Sequence, residues 1–204
     1  MKKTIILVGF LAFALGVVIA RFYLSQPGDD LETNTEGYTR VTMTEGKFGG
    51  DFTLYQGDKP VKLSDFRGRL VIMYFGFASC PDVCPTTLAI IASALRQLTP
   101  KELEQVHPVF ISLDPERDRG EKLDAYATYF HPDFIGITGT PEEVQKVANQ
   151  YGGFFIKVES DSAMEYLVEH TSKTYIISKD GRYVSILPHD MTAELALTAI
   201  RSGL

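Results

Sequence analysis

The chain holds two cysteines, Cys80 and Cys84, four residues apart in Cys80-Pro81-Asp82-Val83-Cys84. A disulfide across so short a loop removes little chain entropy, because the gain grows with loop length. The pair is therefore poorly explained as a structural staple, and it suits metal binding or thiol exchange. If a helix opens at this point, residues four apart share one face. The positive end of the helix dipole then favours thiolate over thiol. Two thiolates on one face make a soft donor pair, which selects Cu(I) or zinc among biological metals. Two donors leave such an ion exposed, so a third is expected, and neutral imidazole is the usual complement.

Four histidines could supply it. His107 stands beside Pro108 at the head of an apolar run, His131 precedes Pro132 in a loop, and His189 precedes Asp190 ahead of the last helix. Each of these three reads by default as a surface or capping residue. His170, in Glu169-His170-Thr171-Ser172, must be judged from the elements around it.

Those elements alternate. Phe52 to Tyr55 reads as a strand followed by a turn at Gln56 to Lys59. Leu70 to Phe77 is continuously apolar, the pattern of a central strand buried on both faces. It runs into the cysteine segment, and Thr86 to Leu98 then has helical spacing. Thr99-Pro100-Lys101-Glu102 and Thr140-Pro141-Glu142-Glu143 each carry a helix-start signature: a Thr cap, Pro at the first position and Glu three residues on. Between and after them the spacing predicts a strand at Val109 to Leu113, a helix at Gly120 to Phe130, a strand at Phe134 to Ile137 and a helix ending about Tyr151. Lys173 to Ser178 and Tyr183 to Leu187 flank the turn Lys179-Asp180-Gly181-Arg182, and a helix from Thr192 to Ile200 closes the chain. Strands alternating with helices make an α/β protein with a mixed sheet flanked by helices. A reactive turn after a central strand and a late antiparallel hairpin predict the thioredoxin-like fold. In that fold the loop entering the hairpin packs against the reactive turn, which favours His170 as the third donor over the plain reading of a surface or capping histidine.

The N-terminus has a different composition. Lys2 and Lys3 precede an apolar run from Ile5 to Ala20, and no acid occurs before Asp29. The run is short against the roughly 20 residues of a membrane span, but Thr4 and Phe22-Tyr23-Leu24 extend it, with Arg21 at the interface. Residues 1–24 are read as an uncleaved transmembrane anchor, 25–47 as a polar linker and 48–204 as the folded domain. The competing reading is a cleaved signal peptide, for which Val18-Ile19-Ala20 is a poor match. Either way the basic start stays inside, so the expected location is the cytoplasmic (inner) membrane, single-pass, with the domain in the periplasm or otherwise outside the cytoplasm. The formal charge of −6 disfavours nucleic acid as a partner.

Three segments carry a resemblance: FGFASCPDVCPTTL at 75–88, SLDPERD at 112–118 and VEHTSKTYIIS at 168–178. Together they resemble the Sco (SenC) family of copper-binding cytochrome c oxidase assembly factors. The resemblance implies copper as the metal, one ion per chain, with Cys80, Cys84 and His170 as its ligands. It places Asp114 at an acidic position near the site, although Asp114-Pro115 also reads simply as a turn. It further implies a metallochaperone that delivers copper to the dinuclear site of cytochrome c oxidase subunit II, with another copper carrier upstream.

Two other functions compete. A dedicated thiol–disulfide oxidoreductase would use Cys80 and Cys84 to keep the cysteines of that site reduced, although the usual spacing for such chemistry is Cys-x-x-Cys. A peroxidase of the peroxiredoxin type would need Pro and Thr or Ser where Met73 and Phe77 stand. Its activating residues are missing.

Overall fold

The computed structural model describes residues 31–33, 39–41, 48–161 and 165–204. The apolar span at 1–24 lies outside them. Within the stretch read as a linker, Leu31–Thr33 (β1) and Thr39–Val41 (β2) are strands that pair with each other. The polar composition there concealed a short edge hairpin; the rest of 25–47 lies outside the described residues. Among the described residues no helix is long and apolar enough to cross a membrane.

Thr53–Gln56 (β3) turns back through Gly57 and Asp58 into Lys59–Lys62 (β4). Gly57 has a positive φ of 57°, which a tight hairpin turn demands. A 3₁₀ turn at Leu63–Phe66 leads into Leu70–Gly76 (β5). All seven residues of β5 are buried, as its unbroken apolar run requires. Val83–Leu95 (α1) and the single turn Pro100–Leu103 (α2) return the chain to Val106–Ser112 (β6), which pairs with β5 in parallel. Gly120–Phe130 (α3) leads to Ile135–Ile137 (β7), and Pro141–Gln150 (α4) follows.

Both Thr-Pro-x-Glu signatures form the expected boxes. Thr99 accepts the Glu102 N–H while the Glu102 carboxylate accepts the Thr99 N–H, and Thr140 with Glu143 repeats the exchange. Phe155–Glu159 (β8) and Tyr166–His170 (β9) then form a two-stranded hairpin that joins no other strand among the described residues. Lys173–Ile177 (β10), Tyr183–Pro188 (β11) and Ala193–Gly203 (α5) finish the chain.

The main sheet runs β1-β2-β11-β10-β5-β6-β7. Its centre joins a parallel β5-α1-β6 unit to an antiparallel β10-β11-α5 unit through the β5/β10 pairing. That is the thioredoxin-like arrangement, with α1 packed on α5 and α3 on β7. The core gathers on β5, with Tyr74, Met73 and Ile72, on α1, with Leu88, Ile91 and Leu95, and on Tyr175 of β10. The rigid centre of the sheet therefore ends where the cysteine segment begins.

Candidate metal centre

β5 delivers the chain to the cysteine turn, and two hydrogen bonds shape that delivery. The Ala78 N–H donates to Asp118 Oδ2 at 2.7 Å, and the Cys80 N–H donates to the Phe77 carbonyl at 3.2 Å. α1 begins only at Val83. Cys84 thus lies in the first helical turn, while Cys80 precedes the helix; the expectation that both sulfurs share its opening turn holds for one of them. Pro81 and Asp82 bend the chain so that Cys80 lies in front of the helix end. Asp82, at the N-cap position, makes no side-chain cap bond. The N–H groups of Asp82, Val83 and Cys84 instead point toward the Cys80 sulfur.

The two sulfurs differ sharply. A hydrogen bond from Cys84 and those backbone donors lower the half-buried Cys80 thiol to about 6, against the opposing effect of burial. Cys84 is fully buried, and the neighbouring Cys80 together with that burial pushes its thiol up. Its space exists because Gly76 has no side chain: a Cβ there would meet Cys84 Sγ at 2.9 Å, Tyr74 Cε1 at 3.0 Å and Phe110 Cε2 at 3.1 Å.

His170 closes the group. Its Nε2 lies 3.5 Å from Cys84 Sγ. The ring stands edge-on to Phe77 and Tyr74, with centroids 6.0 and 6.4 Å away. Burial lowers the imidazole pKa below its ordinary value, partly offset by the Thr171 backbone. His170 is the last residue of β9 and sits opposite Phe155, rather than in a loop. The signal for this hairpin was the alternation Phe155-Ile156-Lys157-Val158-Glu159, but its half-exposed faces gave it no apolar run.

Cys80, Cys84 and His170 therefore form a run with Cys84 in the middle. Both cysteines are free thiols. Among the described residues, no three His, Cys, Asp or Glu side chains are gathered closely enough to hold an ion as they stand. The donor set nonetheless fits a soft ion, two sulfurs and one imidazole. Its outer members sit on the parts most able to adjust: Cys80 in an irregular turn, His170 at the end of a hairpin outside the main sheet.

Asp114 is placed differently. Its fully buried carboxylate accepts the Tyr166 hydroxyl at 2.7 Å and the Arg117 Nε–H. Arg117 also stacks over the Tyr166 ring at 3.7 Å and donates to the Tyr166 carbonyl. Asp114 thus ties β9 to the body of the protein from the end opposite His170.

Sequence reasoning passed over Asp118, whose buried carboxylate also accepts the Ser112 hydroxyl at 2.7 Å. A second acid at the end of an apolar strand, in SLDPERD, was the available signal. Of the remaining histidines, His107 stacks on Phe66 at 4.3 Å and His131 accepts the Asp133 N–H at the end of α3, both away from the cysteines. His189 follows β11 and lines a cavity together with His170.

The chain is similar to known proteins in sequence and in fold. The SCO1/SenC family model matches residues 41–204. An SCO2-like protein of Rickettsia prowazekii is 35% identical over 192 residues, covering 93% of this chain and 91% of its own. The solution structure of apo Sco1 from Thermus thermophilus is 39% identical, with a TM-score of 0.71 over 80% of this chain and 95% of that one. The crystal structure of Arabidopsis thaliana ScoI with copper bound is 34% identical, with a TM-score of 0.70 over 76% and 97%.

Proposed function

Because the chain belongs to the SCO1/SenC family, we propose that it carries copper on Cys80, Cys84 and His170 for the assembly of cytochrome c oxidase. One observation carries the reading: the imidazole of His170 touches the sulfur of Cys84, across 86 residues of chain. An Arabidopsis relative of the same fold was solved with copper bound, which supports the choice of metal.

The three donors divide the work. Cys80 is half-exposed and already poised as a thiolate; it meets an incoming ion first. Cys84 gives up its proton only as the ion reaches it, because a buried thiolate without a cation is unfavourable. His170 supplies the third bond as a neutral ring. A site with few ligands at the surface can release its ion through intermediates that share ligands with the acceptor. The acceptor in this proposal is the dinuclear copper site of oxidase subunit II, reached from a domain held outside the cytoplasm, in the periplasm, by residues 1–24. A second copper carrier upstream supplies the ion.

The asymmetry of the thiols favours a second reading, a reductase dedicated to the cysteines of that site. Cys80 thiolate would attack the target disulfide and displace one target thiolate. Cys84 would then attack the mixed disulfide, releasing the second and leaving Cys80–Cys84 oxidised.

Titration of Cu(I) into the reduced full chain separates the two. The first reading expects one ion per chain and much weaker binding in Cys80→Ser, Cys84→Ser and His170→Ala. Parental affinity in His170→Ala removes the third ligand from the proposal. A metal-free chain that reduces an oxidised subunit II fragment without needing His170, and holds no copper, establishes the second reading.

A further inference from the structure

His189 belongs to no part of the group described above, yet it borders it. A cavity of about 350 Å³ is lined by Val83, His170, Ser172, Lys173, Pro188 and His189. Val83 lies between the two cysteines in sequence and His170 is a proposed donor, so the cavity borders the metal group on its His170 side. The strand register reaches the same place independently: Lys173 pairs with Pro188 across the β10/β11 hairpin. His189, one residue beyond Pro188, therefore faces the short Thr171-Ser172 link that joins His170 to β10. Its side chain is exposed, and it enters no hydrogen bond or ion pair among the described residues.

We propose that His189 is an outer, transient copper ligand: its imidazole holds the ion beside His170 while it passes between the inner donors and an exchange partner. The inference rests on the copper-carrying reading and adds a route to it. Imidazole is a common ligand for copper. Cys84 is fully buried, which closes direct approach to its sulfur, whereas His170 is part-exposed and lines the cavity. An exchange partner can approach the ion through the cavity beside His170, and His189 lines that cavity. Passage is a ligand substitution: a Cu–N bond to His189 forms while a bond to an inner donor breaks. Copper keeps its oxidation state, and a departing thiolate recovers its proton from solvent. Lys173 lines the same cavity, and its ammonium group opposes a cation that stays there. The charge pattern thus suits a ligand used in transit and disfavours permanent residence.

The full chain, wild type beside His189→Gln and His170→Ala, is loaded with one equivalent of Cu(I) and mixed with bicinchoninate, a coloured Cu(I) chelator. Stopped-flow absorbance gives the release rate, and equilibrium competition with the same chelator gives affinity. The expected result is several-fold slower release from His189→Gln with its affinity unchanged, while His170→Ala loses affinity. Release from His189→Gln at the wild-type rate overturns the proposal and leaves the inner site standing. A large loss of affinity in His189→Gln also overturns it, since His189 would then be a resident ligand. Failure of the wild type to hold copper at all overturns both this and the copper-carrying reading.

Discussion

His170 Nε2 approaches Cys84 Sγ to 3.5 Å, and the same burial that makes the contact possible determines how it responds to acid. Burial disfavours the imidazolium, so the ring stays neutral below its ordinary pKa of about 6.5. A neutral ring is the form that binds metal. The affinity advantage of wild type over His170→Ala should therefore stay constant from alkaline pH down through 6.5 and shrink only in more acidic solution. Cu(I) competition at a series of pH values measures the ratio. A ratio that falls well above pH 6.5 contradicts the buried, neutral ring.

The two thiols should be chemically separable. With Cys80 lowered to about 6 and Cys84 raised, neutral solution contains one thiolate and one thiol. Brief treatment of the metal-free reduced chain with iodoacetamide should alkylate Cys80 alone, with a rate that drops as pH falls through about 6. Peptide mass spectrometry identifies the modified residue. Equal labelling of both cysteines, or preference for Cys84, disagrees with the helix-end donors being aimed at Cys80.

Gly76 is a packing requirement of the site. A methyl group there meets Cys84 Sγ, Tyr74 and Phe110 all at or within 3.1 Å, inside a closely packed core. Gly76→Ala should destabilise the fold by about 1–3 kcal/mol, the usual effect of overpacking. It should also weaken Cu(I) binding, because the atom that must yield is a proposed ligand. Urea unfolding beside the Cu(I) titration tests both effects. Lost stability with unchanged affinity means that the strain is absorbed by the aromatic rings alone.

Much of this was visible in the sequence, for definite reasons. β5 declared itself because a strand buried on both faces has no polar positions. α2 and α4 did so because a capping box needs particular residues at fixed spacing. The extent of α2 was not legible: it ends after one turn because the chain must return as β6, a tertiary demand with no local signal. β4, which reads Lys59-Pro60-Val61-Lys62, was hidden by its exposed polar faces. The cysteines stood out by type and spacing, but which sulfur would meet the helix end depends on a one-turn difference in where α1 begins. His170 was found through fold analogy. The hairpin that carries it, and the tie that holds the hairpin, required coordinates.

That tie gives the last prediction. The Tyr166 hydroxyl donates to Asp114 Oδ1 at 2.7 Å, at the end of β9 opposite His170. Since β8 and β9 pair with no strand of the main sheet among the described residues, the hairpin depends on such side-chain contacts for its position. Tyr166→Phe keeps the ring under Arg117 and removes only the hydroxyl. It leaves a buried carboxylate oxygen without that donor, at a cost of about 1–3 kcal/mol. Asp114→Ala removes the ion pair with Arg117 as well, and should cost more. Both variants should raise amide hydrogen exchange along β8 and β9, leave exchange in β5 and β6 nearly unchanged, and weaken Cu(I) binding without touching any ligand. The order of effects, Asp114→Ala beyond Tyr166→Phe, follows from the number of bonds lost. Full Cu(I) affinity in both variants, despite a loosened hairpin, would mean that the metal itself positions His170 and that the tie serves stability alone.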